Sequence, residues 1–496
     1  MNPFEGVLEP NAHSIVRVTF NPHEPTEYVT KIPLFLDDEK ETPYLIMELR
    51  GEGADAKIFF DRREIILPPV PLDIETKATF QVCHNGYENQ MLRCKIANEV
   101  GQLPIVIKYP EGENIGVTKM KVKVEATFKF SSPLSFTTFL DFFDDEGNKF
   151  SIPISGTTDN SIFTVYSFLQ RHMDEIVYRQ ERGKPIKLDQ CATSDVESQK
   201  TGLAGPQKTF GSKQGSSVIS RTARSLVGYN PVPFDVLERN CEHVCRWFNA
   251  SLNTSSMQAF PQDIITQNGG PIYDLITYLS GKRPPGQASV KAIAQANQAN
   301  AKDALKVLLN QYEELINYLK VNGAHLNTVR PEYLLNTSDY TKFLKMFPKE
   351  ENMKPKVVDR VYPYIAMESW LTMFYQVLRI YYLNRITPKN FKALPGVPQV
   401  EASVDPQMTK SNIYSVAETI LLKWMSFHYN KEMPDRARPL TNFDVELCDS
   451  TVFYCLIKSH YGETASLKQF KMVAQNHEMV MNNAKMIIKA VEEIGI

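Results

Sequence analysis

Strict alternation of apolar and polar residues from Met120 to Phe130 constrains the fold more than any other feature of this chain. The even positions of the run are apolar, and every odd position except Thr127 carries a charge. Side chains of a β-strand point alternately to the two faces of a sheet. The run therefore predicts a long antiparallel strand with one buried face and one face in water, and a helix in this stretch would contradict that prediction.

An internal repeat extends the β-structure over the first third of the chain. Val16 to Phe20 resembles Val124 to Phe128, and the acidic turn at 37–39 resembles the one at 144–146, both at an offset of about 107 residues. Repeats of roughly 100 residues made of short strands are typical of immunoglobulin-like sandwiches. We therefore predict a seven- or eight-stranded antiparallel sandwich in residues 55–160 and an incomplete one in residues 1–54.

The hydrophobic period becomes helical after residue 233. Apolar residues then recur at intervals of three and four, as on one face of a helix, in three stretches: Phe234 to Phe248, Leu305 to Leu319 and Ala366 to Leu383. The last residues repeat the pattern, with Ile420, Trp424 and Phe427 on the predicted apolar face. We predict a helical domain in residues 233–400 and a second helical module in residues 411–496.

Residues 161–232 separate the β-region from the helical one. They begin with a helical or transitional segment and continue into a stretch rich in glycine and serine. Between residues 201 and 230 there is no acid, and the four basic residues are Lys208, Lys213, Arg221 and Arg224. This composition predicts a flexible linker, and the alternative is a small contact with an acidic partner such as a nucleic acid or a tubulin tail.

Composition excludes several classes of protein. The 55 Lys and Arg residues against 57 Asp and Glu leave a net charge of −2, so the basic excess of a nucleic-acid-binding protein is missing. No apolar stretch reaches the ~18 residues that a membrane-spanning helix needs. The seven scattered cysteines favour a reducing, cytosolic compartment.

The sequence offers one candidate metal motif, Cys241-Glu242-His243-Val244-Cys245. On a helix the two cysteines share a face and His243 lies on the other side, so three ligands cannot converge on one ion. We therefore expect no metal, and no catalytic motif suggests an enzyme or a cofactor.

The N-terminal pattern resembles a known family. Gly6-Val7-Leu8-Glu9-Pro10 followed by the strand pattern from Val16 to Pro22 is similar to the late half of a Hydin-type domain, a β-sandwich related to major sperm protein. The resemblance implies binding scaffolds that recur in ciliary and centrosomal proteins.

The C-terminal pattern resembles a calponin-homology domain that ends before the final helix of that family. The resemblance covers Leu421 to His428 and the segments that follow, and it implies structural roles for Trp424, Asn442, Phe443 and Asp449. Trp424 is expected to be buried in the helical core. Asp449-Ser450 stands where the family usually has Asp-Gly, so we predict an ordinary helix start there, with Asp449 or Ser450 near the N-cap. Residues 233–400 are either a diverged relative of this module or an unrelated helical domain.

The two resemblances together imply a multidomain protein, with all-β immunoglobulin-like sandwiches before an all-α region, that acts as a structural scaffold. The expected location is the cytoplasmic cytoskeleton, in the axoneme of cilia and flagella, and within it the central apparatus. The implied role is support of cilium assembly and sperm motility. Expected partners are central-apparatus proteins and microtubules. The alternative is an actin-binding protein, although residues 401–496 hold ten basic and twelve acidic residues and are not basic.

Overall fold

The structure is a computed structural model. It describes residues 5–20, 26–37, 41–53, 56–97, 103–171, 234–252, 254–299, 301–346, 355–392, 414–443, 445–474 and 476–495. In this part of the chain, β-strands end at residue 158 and helices begin at residue 162. The order of an all-β region and a helical region is therefore as predicted, while the domain boundaries stay predictions.

The described part of residues 1–53 holds one antiparallel hairpin. Strand β1 (Glu27–Leu34) pairs with β2 (Leu45–Glu52). The strand predicted around Val16 is wrong, because only Arg17 makes a β-bridge there. Instead the Phe20 ring covers Gly51, where a Cβ atom would approach the ring to 2.8 Å. A hairpin of two strands has no buried face, so the apolar side of a third strand at Val16 would have nothing to pack against.

The next strands form the predicted sandwich. They are β3 (Lys57–Phe60), β4 (Ile65–Ile66), β5 (Thr76–Asn85), β6 (Asn89–Met91), β7 (Arg93–Ile96), β8 (Ile105–Lys108), β9 (Asn114–Gly116), β10 (Lys121–Phe128), β11 (Leu134–Phe143) and β12 (Lys149–Thr158). The described strands give two four-stranded sheets, ordered β3-β5-β10-β8 and β4-β12-β11-β7, with β6-β9 as a separate pair. The β12–β4 pair is parallel, which corrects the prediction of purely antiparallel pairing.

Strand β10 confirms the alternation argument over Lys121–Phe128, whereas Met120 and Phe130, predicted on the buried face, lie beyond its ends and are exposed. Val122, Val124 and Ala126 are fully buried, and Lys121 on the opposite face is exposed. The buried side chains of β10 pack with those of β5, β11 and β12 in one core between the sheets.

The helical region is built around one long helix. Its helices are α1 (Ile162–Arg171), α2 (Phe234–Ser251), α3 (Gln262–Thr266), α4 (Gly270–Ser280), α5 (Val290–Ala299), α6 (Ala301–Val321), α7 (Thr337–Met346), α8 (Pro355–Tyr381) and α9 (Pro388–Lys392). The predicted faces of α2 and α6 are buried, and α8 carries the fully buried Trp370 and Phe374. Helix α8 begins eleven residues before the predicted Ala366.

The C-terminal module contains α10 (Val416–Glu432), α11 (Thr451–Tyr461) and α12 (His477–Glu493). Leu422, Met425 and Tyr429 of α10 face its core. Trp424 is half-buried and packs against this core, so the prediction of a buried tryptophan is confirmed only in part. It lies beside the core and contacts His428 and His460, with ring centroids 5.4 and 5.8 Å away. None of the described helices is both long enough and apolar enough to span a membrane.

Candidate functional site at the three-domain junction

Helix α1 connects the three folded parts of the chain. Val165 and Phe168 pack with Val70 and Ile74 of the sandwich. Tyr166 belongs to the core built around α8, and Ile162 and Leu169 pack against the C-terminal core. The polar Thr164 and Ser167, on the remaining side of the helix, are buried as well, so the helix is covered on both its apolar and its polar side. This ten-residue helix therefore sets how the three parts sit against one another.

Asp159, between β12 and α1, forms an ion pair at the junction. Its carboxylate accepts hydrogen bonds from Arg379 Nε at 3.0 Å and from Thr164 Oγ1 at 2.8 Å. His325 Nδ1 lies 3.5 Å away. Burial and the charge of Arg379 lower the pKa of His325 to about 4, against the opposing effect of Asp159. At neutral pH His325 is therefore uncharged, and Arg379 is the cation that balances Asp159.

Glu418 joins α10 to the start of α1. Its carboxylate accepts the Ile162 backbone N–H at 2.9 Å and the Ser161 hydroxyl at 3.3 Å. The same side chain forms a capping box with Ser415, which caps the N-terminus of α10. Burial raises the pKa of Glu418 to about 7, although the hydrogen bonds from Ser415 and Ile162 favour the charged form. Two segments more than 250 residues apart thus meet at one buried carboxylate.

A second ion pair fastens the helical domain to the sandwich. Arg330 forms a salt bridge with Glu64, whose side chain is 7% exposed, and the Tyr333 hydroxyl donates to the same carboxylate at 3.4 Å. The hydrogen bond and the charge of Glu64 raise the pKa of Arg330, although burial by itself would lower that pKa. Arg330 is therefore a cation at any physiological pH.

Asn327 adds a neutral contact beside this pair. Its amide donates to Ser135 Oγ at 2.7 Å and to the Phe136 carbonyl at 2.8 Å. Both acceptors lie on β11, so the loop after α6 is hydrogen-bonded to the sandwich backbone.

A small cleft of about 20 Å³ lies between the sandwich, α1 and the helical domain, and it is partly open to solvent. Thr157, Thr164, His325, Glu368 and Gln376 are among its lining residues. That volume holds about one water molecule. The cleft therefore has room for a bridging water.

The residues implied by the calponin-homology resemblance make separate local contacts. Asn442 is 5% exposed and accepts the Glu446 N–H at 3.3 Å, at the start of a short 3-10 helix. The Phe443 ring packs edge-on against Tyr414, with centroids 5.3 Å apart. Both residues hold the segment between α10 and α11, which is a structural role.

The start of α11 differs from the predicted one. The Asp449 carboxylate accepts the Thr451 N–H at 2.9 Å, but Ser450 has a φ of 64°. That left-handed conformation favours glycine, the residue the family usually has at this position. Ser450 is the N-cap residue of α11, as predicted, but its left-handed conformation makes the prediction of an ordinary helix start wrong.

The candidate metal motif is spread over two sides of α2. Cys241 is buried, His243 is exposed, and Cys245 Sγ accepts the Phe260 N–H at 3.1 Å. Within the described residues no three His, Cys, Asp or Glu side chains are grouped as metal ligands.

The basic linker residues Lys208, Lys213, Arg221 and Arg224 lie outside the described residues.

The junction residues were not predicted from the sequence, although two local patterns pointed to some of them. Ser415 followed by Glu418 before an apolar run is the sequence pattern of a capping box. Six of the eight residues from Ile162 to Leu169 are apolar, a pattern that favours a largely buried helix. No local pattern pointed to Asp159, Arg379 or Glu64, because their partners are remote in sequence.

Two family models match this chain. Residues 225–386 match the cilia- and flagella-associated protein 47 domain, and residues 415–496 match the calponin homology domain.

Relatives match over most of the chain. Cilia- and flagella-associated protein 47 of Homo sapiens is 26% identical, covering 92% of this chain and 18% of that protein. The Mus musculus protein of the same name is 24% identical, covering 99% of this chain and 18% of the relative. This chain thus spans less than a fifth of either relative. Among solved structures, the ASH/PapD-like domain of human CEP192 is 12% identical, covering 21% of this chain and 84% of that domain at a TM-score of 0.16. The chain therefore carries a cilia- and flagella-associated protein 47 domain followed by a calponin homology domain, and it is similar to proteins of the first name over nearly its whole length.

Proposed function

We propose that this chain is a non-enzymatic structural scaffold of the ciliary and flagellar axoneme. The observation that carries the proposal is the junction at α1, where the sandwich, the helical domain and the calponin homology domain are packed together. Two ion pairs join the sandwich to the helical domain, and the hydrogen bonds of Glu418 join the calponin homology domain to α1. A rigid arrangement of three binding modules suits a protein that spaces other proteins along a filament. The names of the relatives support a ciliary or flagellar location.

The more specific part of the proposal is a place in the central apparatus, with a role in cilium assembly and sperm motility. The partners would be central-apparatus proteins and microtubules, within the cytoplasmic cytoskeleton. Many weak contacts spread along a filament give high total affinity through effective concentration. The chain would therefore be held by several modules at once, and each module alone would bind weakly.

Localisation in demembranated flagella tests this proposal. The protein, tagged at one end, is located by cryo-electron tomography with a gold label, and we expect density along the central pair. A junction variant, Arg379→Met, which leaves Asp159 without its cation, should reduce the occupancy of that position. The exposed Lys489→Met serves as the matched control. Label recovered only in the detergent-soluble fraction, and not on the demembranated flagella, would rule the scaffold out.

Actin binding is the second candidate, and it rests on the calponin homology domain at residues 415–496. Residues 401–496 carry ten basic and twelve acidic residues, so attraction to acidic F-actin should be weak at physiological salt. Tight cosedimentation of the 496-residue chain with F-actin that resists salt would favour this candidate over the axonemal one.

A further inference from the structure

One face of the sandwich carries a group of lysines that the scaffold role does not use. In the sheet β3-β5-β10-β8, the side chains facing the core include Val122 and Val124, which are fully buried. The opposite face, which we name the lysine face, presents these residues: Lys57, Lys77, Lys108, Lys121 and Lys123. Each of the four strands contributes at least one of them.

The strand register places these lysines side by side. Lys121 pairs with Cys83 and Lys123 with Gln81, so both stand on the outer side of β5 and β10. Lys108 on β8 stands opposite Glu125, and Lys57 on β3 stands opposite Asn85. Neighbouring strands are ~4.8 Å apart and alternate residues of one strand are ~7 Å apart. The lysines therefore form a compact two-dimensional array.

Few carboxylates neutralise this array. Glu125 is paired with Lys77, at 3.1 Å. Asp61 is engaged by Arg62 and by the Gln81 N–H, both at 3.0 Å. The salt bridges of the described residues include none at Lys57, Lys108, Lys121 or Lys123. The face thus keeps a net positive charge, in a chain whose total charge is −2.

The lysine face is also open. Lys57, Lys108 and Lys121 are exposed, and Phe59 and Val106 on the same face are 45% and 52% exposed. The contacts of the helical domain described above, through Ser135 and Phe136, are made to the other sheet. A partner can therefore reach the lysines while the junction stays closed.

We propose that the lysine face binds an extended, acidic segment of a partner protein, rich in glutamate or aspartate. An extended peptide presents alternate side chains every ~7 Å, which matches the spacing of Lys121 and Lys123 along β10. Ammonium groups suit single carboxylates. Phosphate recognition favours the paired donors of arginine, and Arg62 beside this face is already engaged by Asp61. Phe59 and Val106 add apolar surface for the stems of the acidic side chains.

The test uses the 496-residue chain and a fluorescent oligo-glutamate peptide of about ten residues, followed by fluorescence anisotropy. Because the attraction is electrostatic, binding should be measurable at about 150 mM salt and should weaken as salt rises. The variant K121E/K123E should bind about tenfold more weakly. The matched variant K485E/K489E makes the same charge change at exposed lysines of α12, and it should alter binding less than about twofold.

Two further measurements make each outcome decisive. Thermal melting checks that both variants are folded, and K121Q/K123Q, which adds no negative charge, should still weaken binding. Equal loss in both charge-reversed variants, or no peptide binding at about 150 mM salt, would overturn the proposal. A single-stranded oligonucleotide of equal charge that binds as tightly as the peptide would also overturn it, in favour of a surface for nucleic acid. None of these measurements depends on the axonemal role.

Discussion

A single backbone angle decides how α11 begins. Ser450 adopts a left-handed conformation with a φ of 64°, which costs a non-glycine residue about 1–2 kcal/mol. We expect Ser450→Gly to raise the free energy of unfolding of the calponin homology domain by about 1 kcal/mol, measured by urea denaturation.

The matched control is Ser415→Gly at the start of α10. Ser415 has a φ of −65° and caps the helix with its side chain, so glycine should lower stability by a few tenths of a kcal/mol. The same substitution is thus expected to act in opposite directions at two helix starts. A loss of stability at both sites would show that the backbone angle of Ser450 does not govern its effect.

Trp424 and Trp370 differ in burial, so replacing each of them with alanine should reduce stability by different amounts. Trp370 on α8 has 0% exposure, so Trp370→Ala should cost about 3–5 kcal/mol. Trp424 is half-buried beside His428 and His460, so Trp424→Ala should cost clearly less. Thermal melting of both variants checks this order, which equal shifts would contradict.

Contacts between elements stabilise the junction, and the salt bridge between Glu64 and Arg330 is one of them. Arg330→Met should cost about 3–5 kcal/mol, because it leaves the buried Glu64 carboxylate without its cation. Adding Glu64→Gln removes that charge as well, so the double variant should recover most of the loss. Unfolding free energies of the single and double variants form the cycle that measures this coupling. Additive losses would mean that the two side chains do not interact.

Docking of the calponin homology domain on the rest of the molecule should depend on pH through Glu418. Its pKa is raised to about 7 in the folded protein, against an unfolded value near 4.5. A carboxyl whose folded pKa is raised contributes stability below the unfolded pKa, and this is lost as pH rises through the folded pKa. The free energy of unfolding, relative to Glu418→Gln, should therefore fall by roughly 3 kcal/mol between pH 5 and pH 8.5.

Urea denaturation of both proteins at the two pH values measures this difference. The glutamine variant lacks the ionisable group, so the pH dependence of all other residues cancels in the comparison. Parallel pH profiles for the two proteins would show that Glu418 does not couple ionisation to the docking of the domain.

At the scale of the whole molecule, the sequence by itself determined the kinds of element and their order. The alternation in β10 and the three-four spacing of α2 and α6 each describe one side of a single strand or helix. Both patterns can therefore be recognised within a window of about ten residues. The resemblance to a calponin homology domain was likewise carried by local patterns, and the family model at residues 415–496 bears it out.

Only the tertiary structure decided the junction. Whether Trp424 lies in the core depends on which sides of α10 other elements cover, and the left-handed angle of Ser450 depends on how the chain must enter α11. The role of α1 and the meeting of Glu418 with Ile162 require contacts between residues 256 positions apart. Local propensity carries no information about such a pair, because the ion pairs and hydrogen bonds that close it form only after separate elements have packed together.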